Sequence, residues 1–162
     1  MKRIVSGTSV LILLVTFPVM SQLPVRHMLP VEVAKEMAEV AQNHCRDLGY
    51  NISVHVVDNA GDTLVAYRGD GTGVHTFVNS YRKAYTAMTF DRPTSVFRQR
   101  LDNGDIGPEL QLMLPETAGQ QGGIPVRVGD EVIGGIGASG GGSGSDAICS
   151  QAGIDAVADQ LK

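Results

Sequence analysis

The sequence predicts an α+β domain in which a hairpin-built antiparallel sheet is covered by helices. Three observations predict it. Apolar residues recur at helical spacing after Pro30, the period changes to two from Asn51, and two strand–turn–strand patterns occur, turning at Asp58–Gly61 and at Gly129-Asp130. The order is helix, two strands, two helices, about three strands and a helix, which is not the strand–helix alternation of a parallel Rossmann sheet. No internal repeat indicates a solenoid.

The first helix follows from Val33, Met37, Val40, His44 and Leu48 at helical spacing, with Ala34, Ala38, Ala41 and Cys45 in the neighbouring stripe. Pro30 is tolerated in its first turn and Gly49 supplies the stop. In the first strand Ile52, Val54 and Val56 face one way and Ser53, His55 and Val57 the other; Thr63 to Arg68 completes the hairpin. A glycine-rich loop, 69–73, leads to a second helix with Phe77, Tyr81, Ala84 and Met88 as its apolar positions, ended by Arg92-Pro93. Thr94 or Ser95 caps a third helix running to about Leu101, and turn residues 102–105 follow. Leu110 to Leu114 reads preferentially as a strand. Ile124–Val128 and Glu131–Ala138 form the second hairpin, and Gly134, Gly135 and Gly137 inside its second strand predict the close approach of another backbone or of a ligand. Gly and Ser then run from Ser139 to Ser145, and Asp146 caps a last helix reaching Leu161.

Lys2 and Arg3 precede an uncharged, largely apolar run from Ile4 to Met20, which reads as a signal peptide, residues 1–21, cut after Ser21. The run is short for a membrane anchor and is diluted by Ser6, Gly7, Thr8, Ser9 and Thr16, so the expected product is a single soluble domain, residues 22–162, periplasmic or secreted and without stable membrane insertion. Cleavage leaves 13 − 2 = 11 basic against 17 acidic residues, a formal charge near −6. Nucleic acid is not the expected partner, because phosphate binding draws on clustered Lys and Arg that this chain lacks. Cys45 and Cys149 are far apart and in no metal or Cys-x-x-Cys spacing; one long-range disulfide tying the first helix to the last, or two buried thiols, are both open.

Gly135-Ile136-Gly137-Ala138-Ser139-Gly140 matches G-x-G-x-x-G, but a dinucleotide site also needs a further strand and an acidic residue about 20 positions on, and the chain ends too soon. The glycine-rich turn before Asp146 can offer backbone N–H groups to a carboxylate, although Asp146 opposes an anion; a structural loop is the commoner reading. No two of His27, His44, His55 and His75 show zinc-site spacing. His27 lies in the N-terminal segment, where it can reach a pocket or a neighbouring subunit; His44 reads as a core or interface histidine; His55 lies mid-strand among β-branched residues. His75, where a glycine-rich loop meets a helix between Val74 and Phe77, is either a surface histidine or the imidazole that a haem iron takes. No G-x-S-x-G elbow occurs, and Asp58, Asp62, Asp70, Asp102 and Asp105 sit at turns that explain them without acid–base work. Lys83 can contact an anion or form a Schiff base, but a solvated helix face is the commonest reading.

Four segments in order carry a family resemblance: Val54 to Asp58 with Gly61 and Leu64, Arg68-x-Asp70-Gly71, Lys83-Ala84-x-Thr86-Ala87, and Gly122-Gly123-x-Pro125-Val126 through Gly134, Gly137, Ser139-Gly140 and Asp146. In these the chain resembles the GlcG/HbpS-like haem-binding family, which is related to the C-terminal domain of some corrinoid adenosyltransferases. The resemblance implies a profilin-like α/β/α arrangement with a five-stranded antiparallel sheet and helices on both faces, assembly into homo-oligomers, and haem or tetrapyrrole binding. It carries no single ligand motif, and His75 stands where relatives are expected to have an aliphatic residue.

The leading expectation is therefore an exported haem binder in haem or iron handling or redox sensing. His75 is the metal ligand, Arg68 and Lys83 counter propionate charge, and Ser139 and Gly140 line the cleft. One rival makes the same pocket an enzyme site for haem breakdown or a small organic acid; another makes the chain a periplasmic accessory or oligomeric partner. The residues show no convincing catalytic apparatus.

Overall fold

The structure, a computed structural model, describes residues 23–142 and 144–162. The expected leader, 1–21, and its cleavage point lie outside them. In chain order the elements are α1 (Val31–Asp47), β1 (Ser53–Asp58), β2 (Thr63–Arg68), α2 (Val74–Phe90), α3 (Thr94–Asp102), α4 (Glu109–Met113), β3 (Gly123–Val128), β4 (Glu131–Ser139) and α5 (Ser145–Ala156), followed by a 3-10 turn, Ala158–Gln160.

Among the described residues the sheet has four antiparallel strands in the order β2-β1-β4-β3, with helices on both faces, so the α/β/α layering holds and the expected fifth strand does not. Leu110–Leu114 is where the strand was expected. Pro108 there adopts a helical conformation (φ −62°, ψ −21°), Glu109 follows in the first turn where a carboxylate suits the dipole, and the chain closes α4. Leu112 and Met113 stay exposed, so no sheet face draws this segment into a ladder.

β1 is central and buried on both sides, as its alternation requires. Val54 and Val56, with Ile52, Ile133, Ile136 and Ala138, meet the apolar stripe of α1. Each such Val or Ile contributes about 1.5–3 kcal/mol relative to exposure. α5 lies beside α1 on this face, and Gly153 lets the two close up: a Cβ there would stand 2.5 Å from the Met37 carbonyl oxygen. Cys45 and Cys149 form a disulfide across this contact, with Cα atoms 5.5 Å apart, so the bonded alternative is the one adopted.

The opposite face carries α2, and here the expected helical stripe is fully buried only at Ala84, with Tyr81 and Met88 half-buried. Phe77 is 38% exposed, while Thr76, Ser80, Lys83, Ala84, Thr86 and Ala87 are buried. The glycines of the sheet explain this. A Cβ on Gly137 would lie 2.2 Å from the Ser80 carbonyl oxygen, one on Gly135 2.4 Å from that of Ala84, and one on Gly123 2.1 Å from that of Lys83. α2 therefore rests its backbone on the strands, and only small or slender residues fit on that side. The backbone approach foreseen from the β4 glycines is thus made by α2, and the G-x-G-x-x-G match is packing: its last residue, Gly140, lies against Asn51 and Ile52.

Two expected caps differ. Pro93 occupies the N-cap of α3, and Thr94 instead accepts the Gly123 N–H at 2.9 Å. Gly144 is the N-cap of α5, which leaves Asp146 in the first turn, and the helix stops at Ala156 rather than reaching Leu161.

Candidate functional site

α2 builds the site. Its positions 75, 79 and 83 are spaced four apart and share one face, which looks onto the end of β4 and the start of α5. They line a cleft of about 280 Å³ with Gln120, Gln121, Ser139, Gly140, Gly142 and Asp146. Four of the expected residues, His75, Lys83, Ser139 and Gly140, thus come together. An adjoining cleft of about 270 Å³ shares Asn79 and Gln120 and adds Arg82 and Leu112, so the two join as a trough along the helix. His75 and Arg82 stand about 10 Å apart along its axis at 1.5 Å per residue.

Within the trough, Asn79 donates from Nδ2 to Ser139 Oγ at 3.2 Å. His75 is exposed, and its ring edge lies over Gly73, where a Cβ would come within 2.8 Å of Cε1. Among the described residues neither the His75 ring nor the Arg82 guanidinium has a side-chain hydrogen-bond or ion-pair partner.

Lys83 corrects the expectation of a solvated helix face. It is 2% exposed, and Nζ donates to Asp146 Oδ2 at 2.7 Å and to the Ala138 carbonyl at 2.9 Å. Burial lowers its pKa, against the Asp146 charge and hydrogen bond, which raise it. The other carboxylate oxygen, Oδ1, accepts the Gly141 N–H at 2.8 Å. A Cβ on Gly122 would lie 2.8 Å from the Asp146 Cβ and 3.0 Å from Lys83 Nζ, so that glycine makes room for the pair. The glycine-rich turn does hold a carboxylate, but it is the protein's own. Lys83 is consequently a fastener between α2, β4 and α5, with its charge already matched.

Arg68 lies in a different cleft, of about 310 Å³, with Gln42, Arg46, Tyr50, Asn51, Ile52, Gly69 and Asp70. It donates to the Thr72 side chain and carbonyl at 3.4 and 3.2 Å, and it is not part of the His75 trough.

The other histidines are placed as follows. His55 is 4% exposed, with Nδ1 2.8 Å from Ser80 Oγ and its ring edge-on to Phe77 at 4.5 Å. Burial pushes its pKa down to about 4. Ser53 and Thr76 make a parallel hydroxyl pair at 2.8 Å between the same two elements. His44 is half-buried on α1, and His27 pairs with Glu131 at the start of β4, Nδ1 to Oε2 at 2.6 Å.

Asn79, Arg82 and the two glutamines were not singled out in the sequence. Helical spacing from His75 marks Asn79, at i+4, and Arg82, at i+7; nothing local marks Gln120 and Gln121, which arrive through the turn before β3.

Comparison with known proteins places this architecture. Residues 29–155 match the family model described as "Haem degrading protein HbpS-like". An uncharacterised 15.0 kDa protein from the dhaT-dhaS intergenic region of Citrobacter freundii is 30% identical over 132 residues, 78% of this chain and 90% of its own length. A double mutant of Streptomyces reticuli HbpS superposes with a TM-score of 0.75 at 34% identity, over 87% of this chain and 97% of that one. Klebsiella pneumoniae ORFY does so with a TM-score of 0.81 at 26% identity, over 86% and 97%. With the family model spanning both hairpins, α2 and most of α5, the chain belongs to the HbpS-like family.

Proposed function

We propose that this chain is an exported haem-binding protein and that haem docks in the trough along α2. One observation carries the reading: His75 and Arg82, neither with a side-chain partner among the described residues, stand on one helix face in two adjoining clefts that share Asn79 and Gln120. The family's description, a haem-degrading protein, points to the same ligand.

The residues present fit a tetrapyrrole. It requires a ligand for iron, an apolar surface for the macrocycle and a cation for the propionates. His75 offers a ring nitrogen, Leu112, Pro115 and Ala118 supply apolar lining further along the trough, and Arg82 can donate to a propionate in bidentate fashion. Asn79 and Ser139, bonded to each other, form the wall, and Lys83 fixes that wall by holding Ala138 and Asp146. The propionate role expected for Lys83 and Arg68 passes to Arg82 in this reading. Bound haem would supply iron-centred ligand and redox chemistry; the protein's part is to bind and orient it.

Export is supported by the basic-then-apolar character of residues 1–21 and by the disulfide, a bond that persists in oxidising compartments. Self-assembly belongs to the same reading. Leu112, which lines the open trough, and its neighbour Met113 are exposed, and a second copy covering them would enclose the haem face that one chain leaves to water.

Haemin titration followed at the Soret band, with His75→Ala and Arg82→Gln in parallel, tests the site. A saturable shift altered by His75→Ala and weakened by Arg82→Gln is expected. A shift indifferent to both variants moves the site elsewhere, and no saturable shift refutes haem binding.

A further inference from the structure

We propose that the second cleft, on the α1 side of the glycine-rich loop, binds a small multiply charged oxyanion, a phosphate group or a dicarboxylate. Two arginines reach this cleft from different elements, Arg46 from the last turn of α1 and Arg68 from the end of β2. Neither Arg46 nor Arg68 has a carboxylate partner among the described residues. An anion seated in this concavity would meet a guanidinium from each of two elements.

The cleft is also prepared for such a guest. Arg68 uses Nε and Nη2 on Thr72, whose hydroxyl is itself tied to the Gly69 carbonyl, so the guanidinium is held in place with Nη1 unengaged. Arg46 is not drawn back onto its own helix end, because Leu48, Gly49 and Tyr50 already donate their N–H groups to the last carbonyls of α1. Tyr50 and Asn51 add neutral polar groups on the rim. Asp70, also on the rim, is the one acid lining the cleft, so two positive groups outweigh one negative. Planar guanidiniums match two-oxygen acceptors better than a point charge does, which favours phosphate or carboxylate over halide.

This cleft is separate from the α2 trough. Gly140 packs on Asn51 and Ile52, Gly141 lies against Tyr50 and Asp146, and the Ser139–Gly142 loop stands between the two concavities. Anion binding in this cleft is therefore independent of haem binding in the trough.

The test is nitrogen-15 NMR of the arginine Nε–H groups in the full chain, titrated with inorganic phosphate and separately with malonate at constant ionic strength set by chloride. Saturable shifts at Arg46 and Arg68 are expected, with at least tenfold weaker binding in Arg46→Gln and in Arg68→Gln and an unchanged haemin titration in both. Saturation by phosphate alone identifies a phosphate ligand, and saturation by malonate alone a carboxylate. Non-saturating shifts, or shifts that chloride reproduces or that survive both substitutions, overturn the proposal.

Discussion

Replacing Gly137 by alanine is the sharpest perturbation of this fold, because the obstacle is backbone. The added Cβ would lie 2.2 Å from the Ser80 carbonyl oxygen and 2.5 Å from the Ala84 nitrogen. A carbon–oxygen contact relaxes at roughly 3.3 Å, so α2 must lift from the sheet by about 1 Å. Lifting it loosens the packing of Ala84 and Ala87 and draws Lys83 away from the Ala138 carbonyl. Overpacking of a well-filled interior costs about 1–3 kcal/mol, and the lost contact of a buried charge puts this site at the upper end, about 3 kcal/mol. Urea denaturation should show a lower midpoint with little change in slope, and the melting temperature should fall by roughly 10 °C. Gly129→Asn, at an open turn with φ +56° and no neighbour within 4 Å, serves as the near-neutral control. Ser80→Ala should not rescue Gly137→Ala, since the clash is with a carbonyl and not with the hydroxyl. A loss below about 0.5 kcal/mol for Gly137→Ala, or rescue by side-chain truncation, would refute the backbone-contact account.

Three further outcomes follow from the same geometry. Lys83→Met or Asp146→Leu alone should destabilise by about 3–5 kcal/mol, leaving a buried charge without its partner, while the double substitution should recover much of the loss; equal and additive effects in a double-mutant cycle would contradict the pairing. His55 has a native pKa of about 4 against 6.5 unfolded, so the unfolded state binds the proton more readily in that interval. Stability should be full above about pH 6.5 and fall by about 3 kcal/mol as the pH drops to 4; denaturation midpoints across this range should flatten in His55→Leu, and an equal slope in the variant would exonerate His55. The disulfide closes a loop of sequence separation 104, so Cys45→Ala with Cys149→Ala should lower stability by about 3–5 kcal/mol, readable by thermal unfolding.

Much of this architecture was legible because its signals are local. The α1 stripe, the two hairpins and the β4 glycines each write their structure into adjacent residues. What escaped was set by distant parts of the chain. Periodicity picks out Ala84 but not the rest of the buried side of α2, because Phe77 and Met88 satisfy a helical pattern while the burial of Ser80 and Lys83 is dictated by glycines some 50 residues later. The misread at Leu110–Leu114 is the converse, an apolar run too short for period to decide, where Pro108 and the lack of a receiving sheet face tipped it to helix. His75, Lys83, Ser139 and Gly140, grouped in the sequence reading, line one cleft, whereas Arg68 was grouped with them on charge alone and lines another concavity. Lys83 was taken for a surface residue because its partner, Asp146, is 63 positions away.

The backbone seating of α2 has a consequence for how ligands are received. Carbonyls and amides resting on glycines have no rotamers to sample, so the helix is located without the conformational slack of interdigitated side chains. His75, Asn79 and Arg82 are therefore mounted on a preorganised rail. A guest meeting that rail should lose little affinity to ordering of the protein, and substitutions along the outward face can retune what is recognised without disturbing the frame that presents it.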